Sequence, residues 1–200
     1  MENKINNMKE IIIKEILIPA LQRLYNIDYD NIKNGVSERN ICARLSHHME
    51  NIMREYDSMN TEFKFSNYYV DVEYNRMGNG NLKKYENTEH RPKYMVSDLL
   101  IHSRGPERNL LAVEMKRKSN KKKIKEDKER LISIVSSSTL YSPLDCVYDT
   151  LVGVFIEFSH KQIEIDIFEN IEGKGGCTEH ISINVGTFEL NSVKFNRTIN

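Results

Sequence analysis

The sequence predicts an α/β or α+β fold in which helices pack on a central β-sheet. Helical and strand-like segments are mixed along the 200 residues of the chain. The run at residues 151–158, LVGVFIEF, is almost continuously apolar, which is typical of a strand covered on both faces. Hydrophobic residues make up 39% of the chain, enough for one ordinary core, so we expect a single folded domain.

The first half of the chain predicts two helices and a strand. Residues 8–25 have helical character, and Pro19 should kink or divide that helix because proline does not fit a regular helix interior. Ser37 is a good N-cap for a second helix, in which apolar residues recur at helical spacing up to Tyr56. Residues 66–76 alternate like a strand, whereas the polar, glycine-containing residues 78–91 favour a loop.

The second half predicts a hairpin, a helix and further strands. Residues 94–102 and 109–116 have strand character, and the breaker Gly105-Pro106 lies between them. A lysine-rich stretch leads into a helix at about residues 123–136. After the apolar strand, residues 162–168 alternate like an outer strand, and residues 173–176 predict a loop that precedes short strand-like pieces.

Composition excludes several classes of protein. The chain has 29 basic and 29 acidic side chains, so it carries no general basic coat for nucleic acid. Its apolar runs are far shorter than the roughly 18 residues of a membrane span, and its first ten residues lack a secretory pattern. Three widely spaced cysteines without a CxxC pair argue against a disulfide framework or zinc ribbon. We therefore expect a soluble, cytoplasmic protein with no membrane partner.

Two carboxylates interrupt the apolar strands of the predicted hairpin. If the hairpin is symmetric about Pro106, Asp98 lies directly opposite Glu114. At about 4 Å and an effective dielectric constant of 20, two such charges repel by roughly 4 kcal/mol. A cation between them would remove this cost. It could be Lys116, on the same face as Glu114 about 7 Å along the strand, or a divalent metal. The alternative is that both carboxylates face solvent.

A third carboxylate heads the second predicted helix. At 100° per residue, Glu38 lies at the centre of the apolar arc that should pack on the sheet. This arc is formed by Ile41, Cys42, Leu45, Met49 and Ile52. The alternative is a first-turn glutamate that the helix dipole stabilises by about 0.3–1 kcal/mol.

The zero net charge conceals one strongly positive segment. Residues 116–130 contain nine basic and three acidic side chains, so the segment carries +6 and the rest of the chain −6. A phosphate backbone would bind there, unless the segment is only a solvated helix start. The candidate nucleic-acid-binding residues are Arg117, Lys118, Lys121, Lys122 and Lys123, with Arg104 of the hairpin turn. His102 could contact phosphate or fix the turn, whereas His47 and His48 favour packing or surface positions.

These residues resemble the PD-(D/E)xK nuclease superfamily, which has the restriction-endonuclease-like fold. Its pattern is an acidic residue from a first helix, an aspartate on one strand and (D/E)-x-K on the next. The matching residues are Glu38, Asp98 and Glu114-Met115-Lys116. The order helix, strand, hairpin, helix and buried strand between residues 37 and 158 is also similar. Two features differ: Val96-Ser97 replaces the proline before the aspartate, and the QxxxY element of the RecB-like branch is missing.

The resemblance implies one α/β domain over residues 1–200, with a central mixed sheet flanked by helices and a core at about residues 37–168. It implies a Mg²⁺-dependent nuclease, with Mn²⁺ able to substitute, that acts on DNA as an endonuclease in bacterial defence or mobile-element biology. Asp98, Glu114 and the Met115 carbonyl would bind the metal, and Glu38 would bind it directly or through water. Lys116 would orient the attacking water or stabilise charge on the phosphorane.

A different function is compatible with the same fold. The chain could be a non-catalytic module that binds nucleic acid or a partner protein. A homodimer is compatible with the predicted nuclease function, because cutting both strands of a duplex needs two active sites.

Overall fold

A computed structural model describes residues 2–61, 63–74, 84–86, 92–94, 96–103, 109–121, 123–136 and 150–195. The helices in these ranges are α1 (Glu2–Glu10), α2 (Ile18–Ile27), α3 (Tyr29–Lys33), α4 (Glu38–Met59) and α5 (Ile124–Val135), with a π-helical segment, Ile11–Leu17, between α1 and α2. The strands are β1 (Tyr68–Val72), β2 (Lys84–Glu86), β3 (Pro92–Tyr94), β4 (Leu99–Ser103), β5 (Asn109–Arg117), β6 (Thr150–Phe158), β7 (Gln162–Ile171), β8 (Lys174–Asn184) and β9 (Glu189–Lys194).

Seven of these strands form one mixed sheet in the order β1-β4-β5-β6-β7-β8-β9. β5 and β6 pair in parallel, and the other neighbouring pairs are antiparallel. The connection between the parallel strands contains α5, in agreement with the crossover that parallel pairing requires. The predicted buried strand is confirmed as β6, in which every residue except Glu157 is buried. The fold is therefore α/β, with a mixed sheet flanked by helices.

The two faces of the sheet carry different helices. The π segment, α2 and α4 cover one face and share its large apolar core. On the other face, α5 packs its buried residues Leu131, Ile134 and Val135 against Leu100 and other apolar side chains of the sheet. None of the helices in the described ranges has the length and apolar character needed to cross a membrane.

The two predicted helices of the first half are present. Ser37 caps α4, and its hydroxyl accepts a hydrogen bond from the Asn40 main-chain N–H at 3.3 Å. The expected division near Pro19 is a change of helix type, because the π segment ends directly before α2 and Ile18 N–H donates to the Ile13 carbonyl. The π segment thus ends just before Pro19, the residue that has no N–H to donate to a helical hydrogen bond.

The predicted loop at residues 78–91 is wrong for Lys84–Glu86, which pairs with Pro92–Tyr94 in a separate two-stranded sheet. Tyr94 therefore belongs to β3, and the first hairpin strand begins only at Leu99. A three-residue ladder is too short to show the alternation that identifies a strand. The strand predicted at residues 66–76 ends at Val72, directly before Glu73 with φ 52°.

The predicted loop at residues 173–176 is also wrong for most of its length. The turn here consists of Glu172 and Gly173, which have positive φ values of 49° and 91°, and β8 starts at Lys174. Gly175 lies within that strand. The residue there is glycine because a Cβ would meet the Ile132 carbonyl oxygen of α5 at 2.1 Å. In this strand, glycine indicates close approach of another backbone and not a turn.

Candidate active site

The β4–β5 hairpin has the predicted register. Leu99 pairs with Val113 and Ile101 with Leu111, as symmetry about position 106 requires. The same register places Asp98, which directly precedes β4, opposite Glu114 on β5. The Asp98 carboxylate also accepts a hydrogen bond from the Met115 main-chain N–H at 2.7 Å, so its position is fixed by the neighbouring strand.

Glu114 is the most deeply buried carboxylate of this pair, with 1% of its surface exposed. Burial raises its pKa well above the usual value, the Asp98 carboxylate raises it further, and Arg130 partly opposes both effects. The Arg130 guanidinium donates to Glu114 at 2.6 Å. Burial likewise raises the pKa of Asp98, against the opposing hydrogen bond from Met115. The Asp98 carboxylate therefore disfavours the ionised form of Glu114, whereas Asp127 is the carboxylate that raises the pKa of Asp98.

Lys116 lies two residues beyond Glu114 on the same face of the sheet. Its ammonium is 3.4 Å from Asp127 Oδ2 and 3.8 Å from Glu38 Oε2. Burial lowers the pKa of Lys116, but the Asp127, Asp98 and Glu38 carboxylates raise it by more, so the net shift is upward. The lysine is thus held in its charged form.

Glu38 reaches the same region from the start of α4. One carboxylate oxygen accepts hydrogen bonds from the Arg117 main-chain N–H at 3.0 Å and from the Asn120 side chain at 3.1 Å. The helix N-terminus favours a carboxylate at this position, and the end of β5 fixes its direction. The buried Cys42 thiol lies beside these groups: burial raises its pKa, and Asp98, Glu114 and Glu38 each raise it further.

Two residues of this region were not identified from the sequence. Asp127 and Arg130 lie one turn apart on α5, and the guanidinium of Arg130 donates to Asp127 Oδ1 at 3.1 Å. Asp127 is 3% exposed, and its Oδ2 accepts no hydrogen bond of good geometry among the described residues. A signal was present, because Asp127 precedes Leu131 and Val135 at helical spacing and so heads the apolar stripe of α5, as Glu38 heads that of α4.

We call these side chains the charged cluster: Glu38, Asp98, Glu114, Lys116, Asp127 and Arg130. Four carboxylates and two cations give it a formal charge of −2. All four acids offer hard oxygen atoms, which Mg²⁺ and Ca²⁺ prefer as ligands. One of those atoms, Asp127 Oδ2, has an ion pair with Lys116 but no hydrogen bond of good geometry among the described residues. The donor type and the excess negative charge therefore fit a divalent cation. In the described geometry, however, no group of three or more histidine, cysteine or acidic side chains is arranged as a metal site.

The predicted nucleic-acid-binding residues have different environments. Arg117 is committed to the protein: its guanidinium donates to the carbonyls of Ile32 and Val36 at 2.8 and 2.7 Å and lies over the Phe158 ring. Lys118 and Lys121 are exposed, and so is Lys123. Arg104 and Lys122 lie outside the described residues.

Two lysines of residues 116–130 are paired with acids of the sheet. Lys121 donates to Glu157 at 2.7 Å, and Lys128 donates to Asp166 at 2.5 Å. These acids lie on β6 and β7, so two acids from outside residues 116–130 offset part of the segment's positive charge.

His102 and His48 have partners within the protein. The two ring nitrogens of His102 lie 2.8 Å from Asp71 Oδ2 and 3.0 Å from the Ser103 carbonyl, and the ring stacks on Tyr74. This favours the interpretation of His102 as a structural residue. His48 is buried and lies 2.8 Å from Asp28 Oδ2, as expected for packing.

The charged cluster brings four carboxylates and two cations together around β5. It has carboxylates that can hold a cation, an ammonium that can stabilise developing negative charge, and a position at the carboxyl end of β5 where exposed lysines follow. Comparisons of the chain with protein-family models, with curated proteins and with solved structures gave no match.

Proposed function

We propose that this chain is a divalent-metal-dependent nuclease that hydrolyses phosphodiester bonds in DNA as an endonuclease. One observation carries the proposal: Asp98, directly before β4, lies opposite Glu114 of β5, both carboxylates have raised pKa values, and Lys116 follows on the same face. A fold has little reason to bring buried like charges together unless a cation binds between them.

The order of elements adds support. From α4 the chain continues through β1, the short β2–β3 pair, the β4–β5 hairpin, α5 and β6. Apart from the separate β2–β3 pair, this is the order helix, strand, hairpin, helix and strand implied by the resemblance. We therefore propose a restriction-endonuclease-like core at about residues 37–168. The strands β8 and β9 lie beyond that core.

In this mechanism Asp98, Glu114 and the Met115 carbonyl would hold Mg²⁺ or Mn²⁺, with Glu38 as a direct or water-mediated ligand. The bound ion would supply Lewis-acid polarisation of the scissile phosphate. Lys116, which Asp127 and Glu38 keep charged, would orient a water or stabilise charge on the phosphorane. Arg130 contacts Glu114 at 2.6 Å and competes with a metal for that carboxylate.

The test is cleavage of supercoiled, linear and single-stranded DNA, and of RNA, with Mg²⁺ or Mn²⁺ and with chelator. We expect cleavage of DNA that needs the metal and falls by about 10²-fold or more in Glu114→Gln. Asp166→Asn is the matched control, because Asp166 lies on the same face but pairs with Lys128 and His180. Metal-independent cleavage, or equal loss in both variants, would contradict the assignment.

A second candidate function is a non-catalytic module that binds nucleic acid or a partner protein. Arg130 already compensates Glu114, and the described residues hold no ready-made metal group; both observations favour this alternative. Thermal melting separates the two functions. The nuclease gains stability on addition of Mg²⁺ or Mn²⁺, since a ligand that binds only the folded state stabilises it, and Asp98→Asn loses that gain. A melting temperature that neither ion changes, together with no cleavage, favours the binding module.

A further inference from the structure

A polar pocket of about 380 Å³ opens at the end of the sheet beyond the charged cluster. Its lining residues are Lys161, Gln162, Ser182, Asn184 and Asn191. They come from the β6–β7 turn and from β7, β8 and β9, so four consecutive segments of the chain converge there. None of them belongs to the charged cluster or to the lysine segment.

Strand register connects this pocket to Lys116. One row of paired residues crosses the sheet on the α5 face: Lys116, Glu157, Glu164, Ser182 and Asn191. Neighbouring strands are about 4.8 Å apart. Ser182 and Asn191 therefore lie three and four strands from Lys116, or about 14 and 19 Å.

Two exposed lysines lie along this path. Lys121 donates to Glu157 at 2.7 Å, and Lys118 donates to the Gln162 side-chain oxygen at 2.9 Å. Lys118 thus touches a residue of the pocket, and Lys121 covers one acid of the row. The other acid, Glu164, lies 3.1 Å from a ring nitrogen of His180. A polyanion that leaves the charged cluster along this row would meet ammonium groups before it reaches the pocket.

The pocket lining has the chemistry of nucleotide recognition. It carries one ammonium, three carboxamides, one hydroxyl and no acidic group. Within the described residues, the Asn191 carboxamide has no hydrogen-bond partner, so both its donor and its acceptor are available. A carboxamide that offers both is suited to the paired donor and acceptor on one edge of adenine, and Lys161 is suited to a phosphate.

We propose that this pocket binds a nucleotide of the substrate, preferably an adenine nucleotide, at a fixed distance from the scissile bond. At 3.4 Å per nucleotide along one strand of duplex DNA, 14–19 Å corresponds to about four to six nucleotides. This proposal adds a substrate-binding subsite to the proposed nuclease, and the expected distance from the cut depends on that proposed function. The binding of the nucleotide itself can be measured without cleavage.

The binding experiment follows the side-chain amide signals of ¹⁵N-labelled full-length protein during titration with dAMP, dCMP and inorganic phosphate. We expect dAMP to shift the Gln162, Asn184 and Asn191 signals at lower concentration than dCMP, and phosphate to shift them least. Asn191→Asp keeps the shape but replaces the carboxamide with a carboxylate, and should weaken dAMP binding by about 5- to 100-fold. Asn51→Asp, on α4 in the opposite layer, is the matched control and should bind dAMP like the unchanged protein.

The cleavage experiment uses DNA substrates that differ only in the position of one adenine. We expect faster cutting when it lies about four to six nucleotides from the cut, and loss of this preference in Asn191→Asp but not in Asn51→Asp. Selective dAMP binding without any cleavage would support the pocket and contradict the nuclease. Cleavage without adenine preference would contradict the pocket and leave the nuclease standing. Equal shifts with dAMP, dCMP and phosphate, or no shift with any of them, would overturn the inference.

Discussion

Lys116 and Asp127 form an ion pair between a strand and the helix that follows it, with 3.4 Å between the ammonium and Oδ2. α5 returns over β5, so a residue 11 positions further along the chain fixes the direction of the lysine. The position of the proposed catalytic ammonium therefore depends on how α5 packs on the sheet.

Replacement of Lys116 should separate turnover from metal binding. In Lys116→Ala the carboxylates remain, so Mg²⁺ affinity should persist or increase, whereas the single-turnover rate should fall by about 10²–10³-fold, or roughly 3–4 kcal/mol. Lys14→Ala, an exposed change outside residues 116–130, should leave the rate unchanged. Full activity of Lys116→Ala beside an inactive Asp98→Asn would refute the role of the lysine and keep the metal site.

Replacement of Asp98 should have opposite effects on stability with and without metal. Without metal, Asp98→Asn removes the repulsion from Glu114 while the amide oxygen can still accept from Met115, so the free energy of unfolding should rise by about 1 kcal/mol. With Mg²⁺, only the unchanged protein should gain stability. Urea unfolding measured with chelator and with Mg²⁺ checks both signs. A destabilised Asp98→Asn in chelator would show that the carboxylate is favourable where it lies.

The lysines after β5 should account for part of the salt dependence of DNA binding. Lys118→Ala with Lys121→Ala should weaken binding to all sequences about equally and reduce the slope of log K against log salt by up to about 1.8, for two phosphate contacts. Lys14→Ala with Lys64→Ala, two exposed lysines outside the α5 layer, should leave the slope unchanged. Equal slopes for both double variants would place the DNA elsewhere.

Asp166 should stabilise the fold at pH values above the pKa that it has in the unfolded chain. Burial raises the pKa of Asp166, but hydrogen bonds from Lys128 and His180 outweigh burial and lower it overall. An acid with a lowered pKa in the folded state contributes stability above about pH 4, and this contribution disappears as pH falls through the folded pKa. Asp166→Asn should cost about 1–3 kcal/mol at pH 7 and clearly less near pH 3. Equal costs at both pH values in urea unfolding would exclude an ionic contribution.

The centre of the fold could be predicted because its signals are local. Period-two alternation and one breaker were enough to place Asp98 opposite Glu114, and helical periodicity placed Glu38 on the packing face of α4. The same periodicity would also have put Asp127 on the packing face of α5, but Asp127 was not identified because it lies among many lysines.

The partners of the basic segment could not be predicted from local pattern. Glu157 and Asp166 neutralise Lys121 and Lys128 from strands 36 and 38 residues away, and such pairing depends on sheet order. The strand character of Gly175 was hidden for a similar reason, because the feature that requires glycine there is a helix that precedes it by about 40 residues in the chain.

The contact between Gly175 and the Ile132 carbonyl has a mechanical consequence for the whole domain. α5 rests on β8 through main-chain atoms, and such a contact cannot be adjusted by rotating a side chain. A methyl group at position 175 would push α5 away from β8, and Asp127 and Arg130 would move with the helix. The packing of α5 on β8 therefore helps to fix the positions of Asp127 and Arg130 over β5.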